Sequence, residues 1–192
     1  DAASANRGQQ WLEKMVSGHT MGEVCRHFLV RLHAAGELWT GAGAAAAVLS
    51  TPFTFTGEQV SMVEADLSED LRVVARVEKT WGVSTSTLQD RRIVQHVGRV
   101  VAERAARVTA CALAAIVARV APLPTQVVSV AVDGSVFEHH PSFRQRLERA
   151  LDQLGCGHVE LALAKDGSGL GAALVAAAAA AAAAATTTQQ QQ

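Results

Sequence analysis

Aromatic residues are scarce in this sequence, at 4%, and neither sign of charge dominates: 17 Lys and Arg stand against 18 Asp and Glu, a formal net charge of −1. A chain this neutral projects no general field toward nucleic acid or an anionic membrane. The arginines between Thr87 and Val120 have no aromatics interleaved among them on which bases could stack, so they read as a solvated face paired with carboxylates. The three cysteines, Cys25, Cys111 and Cys156, are widely spaced and odd in number. They form no CxxC pair and no zinc spacing, which argues for free thiols in a reducing compartment. No apolar signal core lies in Asp1 to Met15, and the longest apolar run, Leu170 to Ala185, is mostly alanine and falls short of the roughly 20 residues that span a bilayer. With few aromatics and abundant alanine, the core is expected to consist of Val, Leu, Ile and Ala. The first residue is Asp1, not Met, and a helical pattern begins within a dozen positions, so a partial chain is expected.

What is present is mostly helical periodicity. Helices are expected over Gln9 to Ser17, and over Met21 to Ala35 with Thr20 and Glu23 as a capping box and Gly36 as the stop. Gly41 to Thr56 reads as an exposed loop. Thr56-Gly57-Glu58 opens a short helix through Ala65, and Ser68 to Lys79 forms the next. Thr87 to Val120 carries the longest pattern, with Ile93, Val94, Val97, Val101, Ala105, Val108, Ala112 and Ile116 as its apolar stripe. The prolines at 122 and 124 end it. Strands are expected at Val127 to Val132, at Ser135 to His139 and at Val159 to Ala164. A helix from Pro141 to Leu154 turns Phe143, Leu147, Leu151 and Leu154 inward and Arg144, Arg146 and Arg149 outward. A glycine-rich turn at Gly167 to Gly171 leads into a last helix through Ala185, and residues 186–192 form a low-complexity tail. The second half therefore alternates strand and helix, an α/β pattern with helices packed on a sheet.

Three short stretches could carry chemistry. Asp133-Gly134-Ser135 ends an apolar strand; a glycine there permits close backbone approach and the N–H groups of the turn could face a phosphate, but a hairpin of this composition is the commoner meaning. "KDGSGLGAAL" places three glycines before a helix, without a Walker A or GxGxxG frame, so close helix–sheet packing competes with anion binding. In "NRGQQWLEKMVSG", Gln10, Glu13 and Lys14 share one helical turn, and an amide beside a carboxylate can bridge sugar hydroxyls; an ordinary amphipathic helix is the alternative. His139-His140 is no metal pair, because adjacent residues of an extended segment point to opposite faces and no third ligand is apparent. No GxSxG elbow occurs.

Together, and in order, these segments resemble the hexokinase family. "NRGQQWLEKMVSGHTMGEVCRHFL" is similar to its sugar-binding and phosphate-side segment, "ERAARVTACALAAIV" to its long helix, "VAVDGSVFEHHPSF" to its adenosine-side turn and "KDGSGLGAALVAA" to its closing glycine motif. The stretch from Thr51 to Arg92 is most similar to plant hexokinases. The resemblance runs along almost the whole chain.

The resemblance implies an actin-like, ribonuclease-H-like ATPase fold, with residues 1–185 forming the C-terminal portion of the family's large domain, incomplete here. It implies that Glu13 binds sugar hydroxyls, supported by the amide of Gln10. Ser17, Gly18 and His19 would lie near the nucleotide phosphates. Gly134, Ser135 and the following Val136 to His139, Phe137 among them, would flank the nucleotide at its adenosine, and Thr80 to Ser84 would approach it from another side. The implied reaction is transfer of the ATP γ-phosphoryl group to the 6-hydroxyl of glucose or a related hexose, with Mg²⁺ carried on the nucleotide. The family's catalytic aspartate and phosphate-gripping segments are expected upstream, so no catalytic residue is assigned here. This chain alone would be inactive. The alternatives are a non-catalytic sugar sensor and an inactive truncated product. Plant hexokinases imply an intracellular protein of the cytosol, the mitochondrion or the plastid. Arg7, Trp11, Leu12, His19 and Thr20 depart from the family pattern; at position 19 Met or Lys is commoner.

Overall fold

The computed structural model describes residue 4 and residues 6–40, 47–120 and 127–189, with backbone alone at 47, 168 and 181–189. Nine helices and two strands follow in order among these: α1 Trp11–Val16, α2 Gly18–Ala34, α3 Ala47–Ser50, α4 Gly57–Glu64, α5 Arg72–Thr80, α6 Leu88–Val120, β1 Val128–Val132, α7 Ser135–His139, α8 Phe143–Gln153, β2 Val159–Leu163 and α9 Gly167–Gln189.

Helix α6 is the spine, packed by α2 and α4 on one part and α8 on another. Its buried face runs through Val94, Val97, Gly98, Val101, Ala102, Ala105, Ala106 and Ala110. Small residues dominate this stripe and let the neighbouring helices approach closely; a methyl group on Gly98 would already press on Val63 at 3.3 Å. The expected stripe holds in its first half. Near the end it fails, because Ile116 is 57% exposed and Val117 is buried instead.

The sheet is small. β1 and β2 pair in parallel, with Val128 opposite Val159 and Val132 opposite Leu163. A parallel pair needs a long crossover, and α7 and α8 supply it. That topology removes the hairpin reading of Asp133-Gly134-Ser135. It also removes the strand expected at Ser135 to His139, which is the helix α7.

Other expectations change at element ends. Ser17, not Thr20, caps α2: the Ser17 hydroxyl accepts from the Thr20 N–H at 3.4 Å, and the Thr20 hydroxyl donates back to the Lys14 carbonyl at 2.7 Å. Glu23 therefore serves no capping box. Thr56 does have one, with Gln59, at the start of α4. Helix α5 begins at Arg72 rather than Ser68, because Leu71 takes the left-handed region at φ 51°. Helix α9 begins at Gly167, so the glycine-rich turn is its first turn, and it runs to Gln189, into the segment read as a tail.

The core also departs from the aliphatic expectation. Trp39, Trp81 and Phe55 are the largest fully buried side chains, and Phe55 meets Trp81 with ring centroids 4.6 Å apart. Few aromatics does not mean peripheral aromatics: each ring buries more apolar area than any aliphatic side chain. Val48 and Phe55 are buried as well, so the described part of the segment read as an exposed loop contributes to the core. Gly41 to Ala46 lie outside the described residues. Cys25 and Cys156 are buried free thiols and Cys111 is an exposed one.

Candidate functional site

Three helix starts converge at one place. Gly18 and His19 open α2, Gly57 and Glu58 open α4, and Ser135 and Val136 open α7; all six line one cavity of about 660 Å³, with Ser61, Met62 and His139. The convergence depends on glycine. A methyl group on Gly57 would lie 2.2 Å from the Gly18 carbonyl oxygen, and one on Gly18 would lie 2.6 Å from the Val136 side chain. The first N–H groups of a helix have no partner within it, and they carry the positive end of its dipole. The cavity is thus bordered by backbone donors suited to an anion.

A second cavity, of about 480 Å³, opens on the other side of His19. Gln10, Glu13, Lys14, Ser17, Thr20 and Phe53 line it, together with Asn6. Gln10 sits before α1 in the left-handed region, at φ 54°. That turn brings its amide oxygen to the Asn6 amide, which donates to it at 2.5 Å. The Lys14 ammonium donates to the Asn6 carbonyl. A carboxylate, two amides and an ammonium around a small exposed cavity form a donor and acceptor set suited to a polyol.

The two cavities share His19, in the first turn of α2; Ser17 lines the second alone. The His19 ring stacks on Phe53, with centroids 5.1 Å apart and planes 18° from parallel. Phe53 is held from behind. Its N–H donates to the Glu23 carboxylate at 2.6 Å, and Arg26 grips the same carboxylate with two bonds of 2.7 Å. Burial opposes ionisation of Glu23, but Arg26 and the Phe53 N–H outweigh it and hold the carboxyl below its ordinary value.

The remaining sequence-predicted residues are dispersed. Gly134 is exposed, at φ 151°, and a side chain there would meet nothing within 4 Å. Phe137 is buried, with the Arg144 guanidinium 5.4 Å from its ring centre. Neither Thr80 nor Ser84 lines either cavity. The Thr80 hydroxyl donates to the Val77 carbonyl at 2.7 Å and accepts from the Gln59 amide at 3.4 Å; Ser84 is exposed. Gly57, Glu58, Ser61 and Met62 were not anticipated in the first cavity, nor Asn6 and Phe53 in the second. Thr56-Gly57-Glu58 marked the start of α4, but only packing brings that start to α2.

A buried ionic cluster joins the end of α4 to α8. Glu64, at the end of α4, receives Arg146 at 2.6 Å and 3.0 Å and the Ser142 hydroxyl; Arg146 also reaches Glu103 at 3.1 Å. Arg146 is therefore an interior residue of α8, not one of its outward arginines. His140 sits beside this cluster, its Nε2 3.7 Å from Glu64 and without a hydrogen-bond partner. Burial lowers its pKa, Glu64 pulls the other way, and Arg146 adds to the lowering. His139, next to it, is exposed. Among the described residues no group of three or more His, Cys, Asp or Glu could hold a metal ion, and no helix is long and apolar enough to cross a membrane.

Residues 1–178 match the family model described as Hexokinase. The chain belongs to the hexokinase family. It is 37% identical over 187 residues to Hexokinase-1 of Oryza sativa subsp. japonica, and 33% identical over 185 residues to the chloroplastic Hexokinase-2 of Nicotiana tabacum. Each alignment covers 92% of this chain and 37% of the relative, so the chain spans under two fifths of the length of the hexokinases it matches. Among solved structures, a hexokinase from Schistosoma mansoni complexed with glucose superposes with a TM-score of 0.81 at 32% identity, covering 93% of this chain and 40% of that one. The helix-rich chain with its small parallel sheet thus has part of the actin-like ATPase fold of that family.

Proposed function

We propose that this chain is the nucleotide-side part of a hexokinase that transfers the γ-phosphoryl group of ATP to the 6-hydroxyl of glucose or a related hexose. The first cavity takes the nucleotide and the second takes the sugar. The observation that carries this reading is the adjacency of an anion-suited cavity, bordered by three helix starts, and a polyol-suited cavity across His19. In it, Glu13 and Gln10 hold sugar hydroxyls, and Ser17, Gly18 and His19 face the phosphates. Gly134, Ser135 and Val136 border the adenosine, with Phe137 buried beneath that wall. Mg²⁺ arrives on the ATP phosphates, where it neutralises charge. The base that takes the hydroxyl proton is a carboxylate of an upstream segment in the longer parent protein. The sugar relative in the glucose complex supports the choice of glucose as substrate. The parent protein works in a compartment that supplies ATP; cytosol, mitochondrion and plastid each qualify.

The test is glucose-dependent ADP formation by the parent protein and by its Glu13→Ala variant. Losing a charged hydrogen bond costs roughly 1.5–3 kcal/mol, so the KM for glucose should rise about 10- to 100-fold. An unchanged KM and kcat would reject the assignment of Glu13. A parent protein that binds glucose without consuming ATP would favour the sensor instead. Residues 1–192 alone should form no ADP, and fusion to the upstream half of a plant hexokinase should restore folding.

A further inference from the structure

His19 lines the first cavity beside Gly18 and Ser135 and the second beside Glu13 and Gln10. It is solvent-exposed, and its only described interaction is the stack on Phe53. That stack is built from a scaffolded partner. Phe53 has a left-handed backbone, φ 60°, and its N–H is tied to the Arg26-clamped Glu23. A near-parallel stack occupies a face of the imidazole and leaves the edge, with both ring nitrogens, free to bond. An imidazole offers at least one N–H donor in either protonation state.

Resting on the two-substrate function above, we propose that His19 is a catalytic residue of the transfer, donating a ring N–H to an oxygen of the phosphoryl group as that group passes from the nucleotide cavity to the sugar cavity. The phosphorus–oxygen bond to ADP breaks and its electron pair leaves with ADP. The sugar hydroxyl oxygen forms the new bond to phosphorus, and its proton goes to the upstream carboxylate. His19 neither gives nor takes that proton. A fixed donor aimed at charge in transit contributes most when the charge is most spread out, so its effect falls on kcat.

The experiment compares steady-state kinetics of the parent protein with His19→Phe, which keeps a ring on Phe53 and removes both nitrogens, and His19→Gln, which keeps an N–H donor. Expected is a kcat lower by about 10- to 100-fold in His19→Phe, a KM for glucose within roughly twofold of the unchanged enzyme, and partial recovery in His19→Gln. Equal thermal midpoints exclude a folding defect, and His19→Gln carries the test should His19→Phe misfold. An unchanged kcat in His19→Phe, or a change confined to KM, would overturn the inference while leaving an active, Glu13-dependent enzyme and the proposed function intact. A wild-type parent protein without glucose-dependent ATP consumption would overturn both.

Discussion

Gly57 and Gly18 meet backbone to backbone: a methyl group added to Gly57 would sit 2.2 Å from the carbonyl oxygen of Gly18. No rotamer change relieves a clash with backbone, so Gly57→Ala must push α4 away from α2 and open the first cavity. Overpacking of this kind costs about 1–3 kcal/mol. Chemical denaturation of the parent protein should register that loss, and the KM for ATP should rise with it. A variant of wild-type stability and kinetics would show that the two helix starts are not packed this closely.

Gly134 differs, because its missing side chain would touch nothing. Its φ of 151° is the constraint, since a β-branched residue there is strained by about 1–3 kcal/mol. Relief of that strain would turn Ser135 and Val136 out of the cavity wall. Gly134→Val should therefore raise the KM for ATP more than that for glucose. Intact folding with untouched ATP dependence would make the turn purely structural.

Glu64 and Arg146 join α4 to α8 in the interior, with both side chains at or below 10% exposure. Removing one partner of such a pair costs about 3–5 kcal/mol, whereas replacing both by apolar groups is often near neutral. Glu64→Leu and Arg146→Met should each destabilise strongly, and the double variant should recover much of the loss. Additive losses would show that the pair is not energetically coupled.

Two buried carboxyls predict opposite pH effects. Burial raises the pKa of Asp66, but hydrogen bonds from Ser68 and the Val73 and Val74 N–H groups at the start of α5 outweigh it and hold the carboxyl low. Its stabilising contribution is present above the ordinary aspartate range and is lost as pH falls through the depressed folded value. Burial raises the Glu78 carboxyl, although Ser86 and Trp39 donate to it. Its contribution is full below the ordinary glutamate range and is lost as pH rises toward the raised folded value. Glu78→Gln should thus gain on the wild type as pH rises above the ordinary glutamate range, while Asp66→Asn should be less stable at neutral pH and converge with the wild type only below about pH 4. Thermal midpoints from about pH 2 to 8 check both signs.

Thiol reactivity gives a quick check of the packing. Burial pushes the Cys25 thiol up to about 12, and Cys111 is exposed on α6. The thiolate is the reactive form. Iodoacetamide at pH 8 should alkylate Cys111 in the native protein and reach Cys25 only after denaturation, as read by mass spectrometry. Equal labelling of both would contradict the core around α2.

Much of this protein was legible as sequence wherever a local rule decides. The apolar spacing from Ile93 to Val101 specifies the spine helix, the prolines at 122 and 124 end its pattern, and Thr56-Gly57-Glu58 announces α4. The resemblance to hexokinases came from the order of four motifs along one chain. What local rules cannot decide is which ends meet. Ser135 to His139 is short and follows a strand closely enough to read as a second one, but the crossover between two parallel strands makes it a helix. Arg146 has the spacing of a surface arginine, and only the approach of α4 and α6 supplies the carboxylates that let it be buried. His19 is two residues past a helix cap in sequence. Its place between two cavities depends on Phe53 and Ser135, 34 and 116 positions away by their numbers, and such long-range contacts exist only once α2, α4 and α7 have packed.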